Sequence, residues 1–464
     1  MGDLLPKVLQ PVITIVLARL LTPADFGIIG IAMLVIGLVR MIESMGLNQA
    51  LIQTDEDIEK AADVVFWSNL ALSIVLFVVL FFAAPLIARF FDEPRSSAVI
   101  QVMGFQLIIS AFDDVQEALL QRDFHFKELV SRRLVPVIVS ALVSIVMAVA
   151  GFGYWSLVTG TLIGAALGVV FLWGISEWRP RFRYDLKVAR LLLGFGVLVA
   201  IESFQGWALN YGDNMAAGYF LGVDGLGYYT LAFAVTVVLI GYLVLPVSRV
   251  AYSAFSRLKH ETEELGRSFM DMTRFLAVVV IPIAFGLSLC AELIVEVVLE
   301  SEWLEAIPAI RVLAIMPGLS WIIALNPSLY RAIGRPDVMP KFHIATLLYI
   351  VPIYIIGAQY GLEGFSLARA SVGFVFYIPH IWLSMKLLDL PRRYFWDCVW
   401  SPLFAGLIMS GLVYIALTVM RPIAPGWIHL ILVVIVGCAS YSLSLWFLDR
   451  ALCLRVAKLA RQLL

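Results

Sequence analysis

The residues able to do chemistry in this sequence sit where charge is expensive. Arg40 and Glu43 fall in one apolar run and Asp113, Asp114 and Glu117 in another. A third run holds Glu202, Gln205, Asn210, Asp213 and Asn214, and a fourth holds Arg369. A charge inside a bilayer costs about 2.5–3.5 kcal/mol on insertion scales, so such residues usually face a watery cavity or one another. Arg40 and Glu43 stand at i, i+3 and share a helix face. They read either as a cavity-lining or gating pair, or as an intrahelical ion pair that only makes insertion tolerable. Asp113 and Glu117 stand at i, i+4, with Gln106 a heptad before Asp113, so a polar stripe is expected along one helix. Acids this close repel unless some hold protons. Asp113, Asp114 and Glu117 are therefore the candidates for proton or cation coupling; the other reading is that they lie near a helix end and are solvated. Glu202 and Asp213 are about three turns apart and share a face. Carboxylates, Asn and Gln supply the paired donors and acceptors that a hydroxyl-rich ligand needs.

Other chemical constellations are missing. The His and Cys residues are scattered, with no HExxH, HxxxH or CxxC spacing. No metal site or cofactor is expected, and Cys290, Cys398, Cys438 and Cys453 read as small hydrophobes. No GxxxxGK[ST] phosphate loop occurs, so energy has to come from an ion gradient, the membrane potential or removal of product. The chain has 464 residues, 61% hydrophobic and 14% charged, where soluble chains run about 45–50% apolar and about 25% charged. Its 33 basic and 34 acidic residues leave a net charge of −1, which implies no nucleic-acid surface. The polar stretches are too short for a soluble catalytic domain, so no enzyme is expected.

These residues are positioned by membrane spans of about 20 apolar residues. We place spans at about 5–21, 27–47, 63–88, 98–120, 133–151, 154–175, 190–220, 226–248, 272–298, 308–330, 340–358, 362–386, 397–418 and 427–448. The first apolar run has no convincing cleavage site and leads straight into the second span. With the N-terminus cytoplasmic, 26 of the 33 Lys and Arg fall on the cytoplasmic side, as the positive-inside rule requires. Both termini are then cytoplasmic. The chain also repeats itself. Leu20-Leu21-Thr22-Pro23-Ala24-Asp25-Phe26-Gly27 returns as Phe220-Leu221-Gly222-Val223-Asp224-Gly225-Leu226-Gly227, at an offset of 200. Gly151-Phe152-Gly153-Tyr154-Trp155-Ser156-Leu157 returns as Gly361-Leu362-Glu363-Gly364-Phe365-Ser366-Leu367, at an offset of 210. An even number of spans separates the copies, so they share one orientation. The expected fold is all-α and integral to the membrane, with about fourteen helices. Two parallel six-helix lobes face each other about an axis along the membrane normal, followed by two C-terminal helices, an arrangement suited to alternating access. The boundaries are 1–185, 186–390 and 391–464.

Several of these segments carry a family likeness. Leu17-Ala18-Arg19-Leu20-Leu21-Thr22-Pro23-Ala24-Asp25-Phe26-Gly27 resembles the opening of the polysaccharide transporter family, the Wzx and WzxC-type flippases of the multidrug/oligosaccharidyl-lipid/polysaccharide exporter superfamily. So do Gly46–Gln53, Gly153–Val158, Asn210–Asn214, Gly218–Gly222 and Leu226–Tyr229. The likeness covers about residues 8–390; beyond that only hydropathy matches. It implies movement of a polyprenyl-diphosphate-linked oligosaccharide, an O-antigen, exopolysaccharide or capsule precursor, from the cytoplasmic to the outer leaflet of the inner membrane. It also implies membrane lipid and polysaccharide polymerase or export machinery as partners, with H+ or Na+ as the coupling ion.

On that reading Arg40, Glu43, Glu202, Gln205, Asn210, Asp213, Asn214 and Arg369 are the substrate-cavity candidates. Arg369 is the best single candidate for a diphosphate contact, because phosphates are met by Arg or Lys. Intramembrane acids outnumber bases here, which suits a cavity reading mainly neutral sugar or a substrate accompanied by a cation. The last two helices have almost no internal charge and by resemblance form a groove for the polyprenyl tail. Glu292 and Glu296 are placed at the outer interface. Phe255, Leu258 and Leu265, spaced helically among charges, predict an interfacial helix on the cytoplasmic face. The alternatives are an ion-coupled small-molecule antiporter on the same fold, which the acids would suit, and an integral-membrane glycosyltransferase or polymerase.

Overall fold

A computed structural model describes residues 4–44, 47–53, 57–122, 126–391, 393–422 and 425–453. Its backbone contacts gather into two compact units, Met1–Thr230 and Leu231–Leu464.

The first unit opens with α1 (Leu4–Ala18), α2 (Pro23–Ser44), the short α3 (Leu47–Gln53) and α4 (Ile58–Phe90). Asp57 caps α4 by accepting from the amide of Glu59 at 3.2 Å. The segment expected as span four is broken into α5 (Arg95–Met103), α6 (Phe105–Ala111) and α7 (Asp114–Arg122). Asp113 and Glu117 therefore do not continue one regular stripe from Gln106. The carbonyl of Phe112, released at the break, accepts from the Trp173 indole at 2.8 Å. That distant donor replaces the lost intrahelical bond, which a buried carbonyl cannot forgo.

Next come α8 (Phe126–Val149), α9 (Tyr154–Ile175) and α10 (Leu186–Phe233). The residue before α9, Gly153, has no side chain to cap with, and Asp25 supplies the cap instead. Its Oδ1 accepts from the Tyr154 amide at 3.0 Å, while Oδ2 accepts from the amide and hydroxyl of Thr22, each at 2.9 Å. Two of the motifs that carry the family likeness thus meet through one carboxylate. Asp25→Ala is expected to cost about 1–2 kcal/mol, a full N-cap, with Asp25→Asn losing much less. Thermal unfolding of the two purified variants measures this, and equal melting of both with wild type would refute the capping role.

The helix α10 is interrupted at Gly222, where φ is +73° and ψ −174°. Its arms fold back on each other, placing Tyr229 and Thr230 beside Asp213 and Asn214. Here the two copies of the repeat touch reciprocally. A Cβ on Gly27 would lie 1.9 Å from the Val223 carbonyl oxygen, and one on Gly227 would lie 1.9 Å from that of Pro23.

The second unit continues through a π-helical turn, Ala234–Val238, into α11 (Leu239–Arg257) and α12 (Thr262–Leu289), followed by the one-turn α13 (Ala291–Ile294). Then come α14 (Ile307–Leu319), a 3₁₀ turn Ser320–Ile323 and α15 (Asn326–Ala332). The unit ends with α16 (Val338–Ala358), α17 (Gly361–Leu387), α18 (Arg393–Met420) and α19 (Gly426–Leu448). The Trp321 indole donates to the Val237 carbonyl at 2.9 Å, satisfying an oxygen of the widened π turn. In the short 333–337 connection, Arg335 and then Lys341 hold the exposed Asp337 carboxyl below the usual carboxylate range.

The expected interfacial helix is not present. Residues 258–261 form a turn between α11 and α12, and Phe255 and Leu265 are buried in the core of the second unit. Helical spacing survives across such a turn, so the pattern alone could not separate the two cases.

Among the described residues ten helical stretches are long and apolar enough to cross a membrane. Two shorter apolar helices, Leu9–Ala18 and Leu134–Val149, fall on expected spans one and five. One of the ten, Phe204–Arg257, runs for 54 residues and contains the Gly222 break. At about 1.5 Å per residue it is long enough for two passages of a roughly 30 Å core.

Candidate functional site

Four elements of the first unit bring oxygen atoms together around Glu43. This carboxylate, near the end of α2, is 2% exposed. Its hydrogen-bond partner is not Arg40, which is exposed, but the hydroxyl of Ser73 on α4. Ser110 on α6, Arg40 and Asp113 also face it. Asp114, at the start of α7, faces Asp113, Glu43 and Arg40, and meets Asn48 on α3. Asn48 Oδ1 in turn accepts from the amide nitrogen of Asn69, a fully buried residue one turn before Ser73, at 3.3 Å. Glu117 accepts from the side-chain amide of Gln121 at 3.1 Å. Asp113 and Asp114 are thus joined to Glu43 from another helix, and Glu117 is occupied by its own helix neighbour. Asn48, Asn69, Ser73 and Ser110 are the members that sequence reasoning missed. The available signal was Asn69 and Ser73 at i, i+4 on an otherwise apolar helix, and nothing in the sequence says that this face meets Glu43.

The polar residues of α10 behave differently. Asp213 is 3% exposed; its Oδ2 accepts from the buried Tyr229 hydroxyl at 2.8 Å and its Oδ1 from the Asn214 amide at 2.9 Å. Thr230 donates to Asn214 Oδ1 at 3.5 Å. These contacts hold the fold-back at Gly222. Asn210, which is exposed, donates to the Gly206 carbonyl at 2.8 Å. Gln205 is half-buried, and the side chain of Glu202 lies outside the described residues. In the second unit Arg369 is half-buried on α17, its guanidinium 6.0 Å from the Phe233 ring.

The second unit holds two adjoining recesses. One, of about 610 Å³, lies where α12, α14, α18 and α19 approach. Glu292 there accepts from Arg311 at 3.0 Å, and Arg421 lies 3.7 Å from Glu292 and 3.6 Å from Glu296. The acids placed at an interface are therefore members of a four-charge cluster. Beside it runs an apolar groove of about 490 Å³, lined by Val278, Pro282 and Gly286 of α12, Met409 and Val413 of α18, and Val433 of α19. No group of three or more His, Cys, Asp or Glu able to hold a metal is found among the described residues.

Comparison with known proteins follows the same lines. The teichuronic acid biosynthesis protein TuaB of Bacillus subtilis is 24% identical over 78% of this chain and 76% of its own length. The succinoglycan biosynthesis transport protein ExoT of Rhizobium meliloti is also 24% identical, over 96% of this chain and 91% of its own. The solved structure of the lipid II flippase MurJ in an inward closed conformation superposes with a TM-score of 0.79 at 15% identity, covering 97% of this chain and 98% of that one. The fold is therefore that of this solved structure. Residues 16–308 match the family described as polysaccharide biosynthesis protein, and the chain belongs to that family.

Proposed function

We propose that the protein is a flippase that moves a polyprenyl-diphosphate-linked oligosaccharide from the cytoplasmic to the outer leaflet by alternating access. Family membership carries this reading, strengthened by a transport relative aligned along nearly the whole chain. The groove between α12, α18 and α19 supports it, since its apolar walls suit a polyprenyl tail. The chain is a transporter and performs no covalent chemistry.

In this reading the protein crosses the inner membrane fourteen times with both termini cytoplasmic. Residues 1–185 and 186–390 act as two lobes, and 391–464 supply the tail-binding helices and the cytoplasmic tail. Arg40, Gln205 and Asn210 contact glycan, and Arg369, stacked on Phe233, contacts diphosphate. The acids around Glu43 couple transport to an ion gradient, and a polysaccharide polymerase receives the product.

The test is a deletion strain from which polyprenyl-diphosphate-linked glycans are extracted and assigned to a leaflet. Accumulation on the cytoplasmic side, reversed by the intact gene, is the expected result, and it also gives the glycan composition. Normal amount and sidedness, in a strain without a redundant copy, would overturn the reading in favour of small-molecule export.

A further inference from the structure

The charged recess of the second unit lies at one end of three apolar helices. α12 ends at Leu289, α18 ends at Met420 and α19 begins at Gly426, and each is long and apolar enough to cross a membrane. Glu292, Glu296, Arg311 and Arg421 therefore stand at headgroup depth. Tyr414 and Trp427 are exposed near the same end, and these are the aromatic types that settle at that level. The apolar groove starts a turn deeper, at Gly286, and follows α12 to Val278 for about 12 Å. That length fits inside one leaflet of a roughly 30 Å core. A polar recess above an apolar groove, at these depths, matches an amphiphile with its headgroup in the one and a chain in the other.

The charges specify the headgroup. Two acids meet two bases, and the four are not closed on one another. Glu292 accepts from Arg311 at 3.0 Å. Arg421, however, lies 3.7 Å from Glu292 and 3.6 Å from Glu296, beyond the usual range of about 2.7–3.2 Å, so these contacts leave hydrogen-bonding capacity unused on both sides. His429, at the start of α19, also lines the recess. It is 4% exposed, and its Nε2 is buried with no hydrogen-bond partner among the described residues. Buried polar atoms are seldom left unmatched. An anion alone would be repelled by the carboxylates, and a cation alone by the guanidinium groups. A phosphate joined to a primary ammonium matches both, since guanidinium binds phosphate oxygens and an ammonium offers three donors to carboxylates. The imidazole Nε2 is served in either tautomer, accepting from the ammonium or donating to the phosphate.

We propose that this recess and the groove beneath it bind one zwitterionic phospholipid of the phosphatidylethanolamine class. Its phosphate sits at Arg311 and Arg421, its ammonium at Glu292 and Glu296, and an acyl chain in the groove. Binding stands apart from the transport reading; exchange of this lipid for a polyprenyl tail in the same groove rests on it.

The test is native mass spectrometry of the purified full-length protein with phosphatidylethanolamine, phosphatidylcholine and phosphatidylglycerol of identical chains. The wild type is expected to retain one phosphatidylethanolamine with about tenfold preference over either competitor, the worth of one hydrogen bond to a charged group. Phosphatidylcholine loses because its quaternary ammonium has no N–H to donate. Glu292→Gln combined with Glu296→Gln leaves two guanidinium groups in excess and should turn the preference towards phosphatidylglycerol, a gain that misfolding cannot imitate. Arg311→Gln combined with Arg421→Gln should weaken retention of all three lipids, and Glu363→Gln on α17 should change nothing. Equal retention of the three lipids by the wild type would overturn the proposal and mark them as ordinary surrounding lipid. A wild type that prefers phosphatidylglycerol would overturn it too, as would a double glutamate variant that keeps the wild-type order. In the deletion strain, glycan export restored by a protein without the lipid preference removes this site and keeps the transport reading. The preference in a protein that exports no glycan does the reverse.

Discussion

Gly227→Ala is expected to leave little folded protein, and Gly27→Ala to do the same. The reason is a crossing of two backbones. Each glycine points at a main-chain carbonyl of the other copy of the repeat, and a Cβ at either would stand 1.9 Å from that oxygen. A flexible side chain could swing aside; a carbonyl held in a helix cannot move without shifting the helix. Overpacking a well-fitted core costs about 1–3 kcal/mol, and here the obstacle is main chain, so the upper end is the expectation. Neither glycine has positive φ, so close approach and not backbone conformation fixes the residue. Three comparisons make the result sharp. Gly30→Ala meets the end of the Leu226 side chain, at 3.2 Å, and the Thr230 hydroxyl at 3.7 Å, both side-chain atoms, and should be mild. Gly286→Ala meets nothing within 4 Å and should be neutral or slightly stabilising. The double variant Gly27→Ala, Gly227→Ala should cost less than the sum of the singles, because both load the same crossing. Yield and melting temperature in detergent, read by size-exclusion chromatography after heating, measure all five variants. A Gly227→Ala protein that melts with wild type would show that the helices do not cross this closely.

This crossing marks where the sequence was legible and where it was not. The apolar runs locate the helices because a bilayer demands uninterrupted hydrocarbon-compatible stretches, and that demand is written residue by residue. The repeat located the pair of segments containing Gly27 and Gly227, though matching residues do not say that the copies touch. Asp25 belonged to a recognised motif, yet its role depends on Tyr154, which comes 129 residues later. The break at Phe112–Asp113 was invisible because the donor that serves its freed carbonyl, the Trp173 indole, is also remote in sequence. Arg40 and Glu43 were correctly seen as neighbours on one helix, while the actual partner of Glu43 came from Ser73 on another. For Asp213 the residue type suggested a ligand contact, and tertiary structure gave it Tyr229. In each case local pattern specified the element and its polar residues, and packing between distant elements specified their partners.

The same distinction gives the second large effect, at a position where sequence gave no hint. Asp449 follows α19 and gathers three donors: the amide of Leu452 at 3.0 Å, the Ser401 hydroxyl at 3.2 Å, and the Arg274 guanidinium of α12. Arg274 and Asp449 are 26% and 14% exposed at their side chains, so water screens the pair poorly. Removing one partner of a pair this far from water strands the other charge, at a cost of about 3–5 kcal/mol. Arg274→Ala and Asp449→Ala should therefore each lower the melting temperature strongly, and Asp449→Asn should lose less because it keeps an acceptor for Leu452 and Ser401. A double-mutant cycle should return a coupling of about 1–3 kcal/mol. Added salt should leave the wild type nearly unmoved, since screening acts mainly on exposed pairs. Singles within about 0.5 kcal/mol of wild type would place the pair among inconsequential surface contacts. The consequence reaches function because Arg274, Ser401 and Asp449 tie together α12, α18 and α19, the three helices that line the apolar groove. If that groove carries the polyprenyl tail, Arg274→Ala should weaken transport of the long-chain substrate more than that of a short-chain analogue, while a general loss of folded protein would lower both alike.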